Sequence, residues 1–280
     1  MGAKEPGTRA RLDAVTQLKF ARRMTRLLVG CAVIFFAVPL LALIAKSTPS
    51  TVIDQLSSYE TRMAIAVSLV AVTIALTFIV ILGTPTAYVL ARRGVRPSRA
   101  LEVLFDLPMV LPPAVAGIAL LAAFGPGSPI GDALSSIGMQ VALTRTAVIV
   151  ALIFVAGPLY IRQAQAAFAA TDNSILDSAR TSGVGSLESF LRVELPLAKN
   201  GIVAGVALSG ARALGEFGAT MMFAGSVVGV TQTITLAIYG SLDARPDASY
   251  ALASLLLLMT VLLSLAARAV GSRGIGPVAS

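Results

Sequence analysis

The sequence contains no histidine and a single cysteine, Cys31, which sits inside an apolar run. A disulfide framework is thereby excluded, and the Cys/His sets that hold structural zinc have no residues to draw on. Cys31 reads as lipid or core packing. Charge is scarce as well: 13% of the 280 residues are charged and 56% are hydrophobic, whereas soluble proteins carry about 25% charged residues. So little polar surface cannot coat a globule of this size, and the longest apolar runs reach the roughly 18 residues that mark membrane-spanning helices. Also missing is any Gly-x-x-x-x-Gly-Lys-Ser/Thr phosphate loop, since Lys4, Lys19, Lys46 and Lys199 each follow Ala or Leu. ATP therefore has no cradle in this chain. The sequence shows no tandem repeat or low-complexity tract, and the expectation is one membrane domain without an appended soluble one.

What is present is a series of apolar runs, at Leu27–Ala45, Met63–Leu90, Leu107–Phe124, Thr146–Ile161, Gly201–Phe223 and Ser249–Ala267. They predict an all-α integral membrane protein with six transmembrane helices. The second run is long enough to tilt or project, and the fourth is short unless it starts earlier or continues past Arg162. The basic leader before the first run is too long for a signal peptide, so that run is expected to be retained as a helix. The net charge of +8 does not indicate nucleic acid, because the basic residues lie in loops between apolar runs without an aromatic platform. They report orientation instead. With both termini cytoplasmic, Lys46, Arg62, Arg145 and Arg245 fall outside, Arg212 lies within a span, and the remaining basic residues fall inside. The expected organisation is a basic N-terminal segment over 1–26, one transmembrane domain over 27–270 with a cytoplasmic loop at about 162–199, and a tail over 271–280.

That cytoplasmic loop holds the most informative string. Asp177-Ser178-Ala179 is followed after three residues by Gly183, and after nine more by Val193, Leu195 and Pro196. Gly183 gives a turn backbone freedom, and Pro196 and Thr181-Ser182-Gly183 are expected to break the helical pattern into helix, turn and short helix. Ser186 can start the short helix, with Leu187, Glu188, Phe190 and Leu191 on it. The spacing resembles the signature loop of ABC importer permeases, Glu-Ala-Ala, three residues, Gly, nine residues, Ile, one residue, Leu-Pro. The resemblance implies that Asp177, Ala179, Gly183, Ser186, Leu187, Glu188, Phe190, Leu191, Leu195 and Pro196 form a coupling element docked on a separate ATPase. The competing reading is an amphipathic loop lying on the membrane surface.

Two charges fall inside the fifth run. Arg212 and Glu216 are four residues apart, one turn of helix, and so share a helix face. Each is costly in hydrocarbon, about 2.5–3.5 kcal/mol on insertion scales, so a pair facing the bundle interior is expected. One reading gives Arg212 a role on an anion path with Glu216 restraining it; the other is a structural pair that locks two helices. Thr220, Thr231 and Thr233 complete the candidate path or gate, with ordinary loop solvation as the alternative for the 231–233 stretch. Pro108, Pro112 and Pro113 open the third span; a proline at a helix start is tolerated, while Pro112 and Pro113 predict a bend.

Two longer strings, LPMVLPPAVAGIALLAAFGPGSPIG at Leu107–Gly131 and RALGEFGATMMFAGSVVGVTQTITLAIY at Arg212–Tyr239, resemble permeases of molybdate or tungstate importers, with sulfate/thiosulfate permeases as the runner-up. The resemblance implies the type I ABC importer permease fold in a bacterial inner membrane. It also implies a homodimer of this chain, two copies of a cytoplasmic ATPase that binds the ATP and Mg, and a periplasmic or lipid-anchored oxyanion-binding protein. The chain itself is then not an enzyme, holds no cofactor or metal, and moves a tetrahedral oxyanion such as molybdate. The reading from another class, an ion-coupled secondary transporter, needs intramembrane acids, of which Glu216 is the one convincing candidate and has Arg212 beside it.

Overall fold

The computed structural model describes residues 6–92, 99–172, 174–175, 181 and 185–272. Every regular element among them is helical, as the apolar runs predict. Two compact units are distinguished, Met1–Thr48 and Pro49–Ser280. The first contains a single helix, α1 (Pro6–Lys46), whose Arg22–Lys46 part is long and apolar enough to cross a membrane.

In the second unit, α2 (Pro49–Ser57) leads to α3 (Tyr59–Ala91), a span that begins where the Ser58 hydroxyl accepts from the Thr61 N–H at 3.2 Å. Then come α4 (Arg99–Val110), α5 (Pro113–Phe124), α6 (Pro129–Ser136) and α7 (Arg145–Ala169). The fourth span thus continues past Arg162, as its short apolar run required. A short helix α8 (Ser186–Ser189) passes through a π turn at Phe190–Glu194 into α9 (Leu195–Leu214). The chain closes with α10 (Gly218–Ala224), α11 (Ile234–Ser241) and α12 (Pro246–Ser272).

Four helices are continuous spans, and the third and fifth expected spans are bent pairs. The third turns by 120° between Val103–Val110 and Pro113–Phe124. The cause is local: Leu111 closes the last bond of α4 at 2.9 Å, the residue before a proline avoids the helical region, and Pro112 has φ −54 and ψ 134. The prolines therefore do more than bend a span; they re-aim it. The fifth span is bent by 60° between Ser186–Leu214 and Gly218–Ala224, which corrects the reading of Gly201–Phe223 as one straight helix. Pro196 requires the opposite correction. The helix does not break there, because the π turn just before it lets Leu195 donate to the Phe190 carbonyl and the proline falls in the first turn of α9, where its missing N–H costs little.

The core is built from α3, α7 and α9, and small residues line their contacts. Along α9, a Cβ on Gly201 would lie 2.3 Å from the Ala167 Cβ, one on Gly205 would lie 3.2 Å from Tyr160, and the Ser209 hydroxyl donates to the Ala156 carbonyl at 3.0 Å. This stripe of small residues at every fourth position lets two antiparallel backbones approach, which is how helices associate where lipid is as apolar as leucine. The two half-spans α5 and α10 meet in the same way. A Cβ on Gly117 would sit 2.7 Å from the Ala219 carbonyl oxygen, and one on Gly218 would sit 2.7 Å from the Pro113 Cβ. Gly117→Leu is accordingly expected to destabilise the fold by about 1–3 kcal/mol through overpacking, read as a lower melting temperature by circular dichroism in detergent. An unchanged melting temperature would mean that α5 and α10 separate freely.

Candidate functional site

Two regions place the residues singled out in the sequence. The first is the break in the fifth span. α9 ends at Leu214, Gly215 has φ −85 and ψ 4, Phe217 has φ −129 and ψ −56, and α10 begins at Gly218. Glu216 therefore lies in the break and not on a continuous helix face. It still meets Arg212, with Arg212 Nη1 2.6 Å from Glu216 Oε2. The contact is one of charge rather than an aligned hydrogen bond, since Glu216 Oε2 has no partner of hydrogen-bonding geometry. The other oxygen, Oε1, accepts the Ala219 N–H at 2.7 Å and caps α10.

Glu216 is buried, its side chain 1% exposed, while that of Arg212 is 33% exposed. The asymmetry defines the site: an anchored carboxylate behind and a partly open guanidinium in front. The broken backbone is satisfied from α11, where the Thr235 hydroxyl donates to the Glu216 carbonyl at 2.6 Å and sits 2.9 Å from the Thr233 hydroxyl. The Ser68 hydroxyl on α3 accepts the Ile234 N–H at 2.9 Å. A broken membrane helix is tolerated where such hydroxyls take up its freed polar groups. Thr220 donates to the Phe217 carbonyl at 2.8 Å, and Thr231 accepts the Val227 N–H at 3.0 Å. Thr220, Thr231 and Thr233 are all buried, and their hydroxyls meet protein partners. Thr235 and Ser68, which complete this network, were not foreseen; the Thr-x-Thr repeat at 233 and 235 was the available signal.

The second region is the segment after the fourth span. Asp177, Ala179 and Gly183 lie outside the described residues. From Ser186 onward the segment is helical, and its two faces differ. Leu187 and Leu191 are 70% and 52% exposed, flanked by the Glu188–Arg192 pair at 3.0 Å. On the other face, Phe190 packs 4.7 Å from the Tyr88 ring and 6.0 Å from that of Phe168, and Glu194 is buried. The Glu194 carboxylate is held by Arg92, and Tyr88 donates its hydroxyl to Glu194 Oε1 at 2.9 Å. Leu195 and Pro196 follow at the start of α9. At the same end of the bundle, Arg162 clasps Asp106 through two bonds of 2.7 and 2.5 Å, tying α7 to α4.

This arrangement of bent spans and a projecting helical segment has counterparts. The family described as "Binding-protein-dependent transport system inner membrane component" matches residues 80–274. "Probable transport system permease protein NifC" of Clostridium pasteurianum is 37% identical, over 91% of each chain. "Molybdenum transport system permease protein ModB" of Mycobacterium tuberculosis is 39% identical, over 86% of this chain and 90% of the relative. "Sulfate transport system permease protein CysT" of Escherichia coli is 32% identical, over 89% and 91%. Among solved structures, a bacterial alginate ABC transporter in complex with an alginate pentasaccharide-bound periplasmic protein aligns with a TM-score of 0.70 at 16% identity, covering 93% of this chain and 96% of that one. The shared architecture is the type I ABC importer permease fold, and in such importers ATP is bound by a separate ATPase subunit. The chain belongs to the binding-protein-dependent inner membrane component family and is a multi-pass permease subunit of an ABC importer, not its ATPase.

Proposed function

We propose that this permease conducts a tetrahedral oxyanion, molybdate or tungstate, received from a periplasmic or lipid-anchored binding protein and released to the cytoplasm. The observation that carries the anion is Arg212, partly open within a membrane-spanning segment while its partner carboxylate is buried behind it. A guanidinium restrained in this way attracts an anion weakly, and weak binding is what conduction needs, because cargo must leave as readily as it enters. The greater similarity to a permease named for molybdenum than to one named for sulfate supports the order of cargoes. Thr220, Thr231 and Thr233 then act behind the path, holding the wall from which Arg212 projects.

The working unit in this reading is a homodimer of the chain with two ATPase copies, both termini of the chain cytoplasmic, and the segment from Asp177 to Pro196 as the coupling element. The open face of Leu187 and Leu191 supplies apolar material for a cleft on the ATPase. ATP binding draws the two coupling elements together and opens the outer face to the loaded binding protein.

The test is uptake of labelled molybdate into proteoliposomes containing the chain, its ATPase and its binding protein. Uptake is expected only with ATP and all three components, with tungstate competing at equal concentration and sulfate failing to compete in about hundredfold excess, a discrimination of a few kcal/mol. Uptake driven by an ion gradient without the ATPase would overturn the reading in favour of a secondary transporter. Preferred uptake of sulfate would move the cargo to the runner-up.

A further inference from the structure

The cluster around Glu194 is built for more than packing. A buried carboxylate on a helix face otherwise occupied by aromatic rings is a poor way to gain stability, since apolar residues of similar volume commonly serve as well or better. Here Glu194 is 3% exposed and is met by two residues at the end of α3: Arg92, its C-cap, and Tyr88 of its last turn through the hydroxyl. Arg92 is in turn fixed from three directions. Its backbone N–H caps α3 by donating to the Tyr88 carbonyl, its guanidinium lies 5.5 Å from the Tyr88 ring centroid, and its side chain is largely covered. Tyr88 packs edge-on against Phe168 of α7 at 5.5 Å and against Phe190 at 4.7 Å.

The position of the cluster gives it a purpose. Glu194 and Phe190 occupy the buried face of the same π turn whose neighbouring residues, Leu187, Leu191 and Arg192, form the open face. A π turn is a local widening with one extra residue, frequent where a helix does work other than support. Force applied to the open face passes through this turn to α9 along the chain, and to α3 and α7 across the cluster. Apolar packing alone would let the turn slide against α3. A charged, hydrogen-bonded contact admits one register.

We propose that Glu194 and Arg92 are positioning residues that weld the base of the coupling segment to the second span, so that motion imposed by the ATPase moves α3, α7 and α9 as one body. This rests on the coupling role given above to the segment from Asp177 to Pro196 and is separable from the identity of the cargo. It predicts a specific defect, in which ATP is hydrolysed but cargo is not moved.

The experiment uses the full chain with its ATPase and binding protein in proteoliposomes. Three forms are compared: Glu194→Gln, the apolar pair Arg92→Met with Glu194→Leu, and Glu194→Asp. For the first two, uptake is expected to fall roughly tenfold while ATP hydrolysis and ATPase binding stay within about twofold of the wild type, the scale of change expected along a coupling path. Glu194→Asp, which keeps the charge, should recover most of the uptake. The apolar pair guards against simple loss of folding: its melting temperature should match or exceed that of the wild type, and a purely structural cluster would then leave coupling intact.

A second measurement does not depend on cargo. With Cys31 replaced by serine and spin labels at Val89→Cys and Leu187→Cys, both exposed sites, the label distance should be narrowly distributed in the full chain and broadened in the apolar pair. Wild-type-like uptake in the apolar pair, equal losses of hydrolysis and uptake, or an unbroadened distance would each overturn the proposal. Absence of molybdate uptake by the wild type would count against the cargo alone, because the distance measurement still decides the weld.

Discussion

Arg212→Ala is expected to lower ATP-driven oxyanion uptake by roughly a hundredfold and to destabilise the permease by about 3–5 kcal/mol, the usual consequence of removing one partner from a buried ion pair. The carboxylate of Glu216, 1% exposed, keeps its bond from the Ala219 N–H but loses the only cation placed against it among the described residues. A buried charge without its counter-ion then loads the break. Two further variants separate the parts of this loss. Arg212→Lys keeps a cation and should restore stability more than uptake, since an ammonium lacks the planar fork of the guanidinium. Glu216→Gln keeps an acceptor for Ala219 and frees Arg212, so it should retain anion entry while slowing release. Proteoliposome uptake with circular dichroism melting reads both quantities, and normal uptake by Arg212→Ala would leave the pair as a helix lock only.

The double substitution Leu187→Glu with Leu191→Glu should abolish association with the ATPase, weakening it more than about hundredfold, because docking would bury two unpaired carboxylates in an apolar cleft. The fold should be spared. Both side chains are more than half exposed, and surface changes of that kind usually alter stability by no more than about 0.5 kcal/mol. Co-purification of the ATPase measures the first effect and the melting temperature the second. Full association of the double variant would place the docking surface elsewhere.

The six spans were legible because apolar length is a one-dimensional property, and Tyr59–Ala91 or Arg145–Ala169 needs no partner to announce itself. The bends were half legible. Pro112 and Pro113 declare a bend by their chemistry, but its size of 120° depends on where α5 docks. In the fifth span, Gly215 and Gly218 bracket Glu216 and Phe217, and that bracket marks a break more truly than the apolar run around it marks a helix. Arg212 and Glu216 were found as a pair by spacing and do pair, though across a break. The contact between Arg92 and Glu194 was invisible, because the two residues lie 102 positions apart and only the folded bundle brings the end of α3 to the π turn. The partners of Thr231 and Thr233 were likewise not legible: a hydroxyl in a loop-like string looks available, and its bonds to Val227 and Thr235 are settled by the turn they close.

From Ser186 to Leu214 the chain is one helical rod, bent from α10 by 60° at the Gly215–Phe217 break. At 1.5 Å per residue it is roughly 43 Å long, which exceeds a hydrocarbon layer of about 30 Å. If that break serves as a pivot, a tilt of about ten degrees sweeps the far tip through roughly 7 Å on that same geometry. A modest swing at the outer end and a stroke of several ångströms at the inner end are then one movement, geared by the length of a single helix.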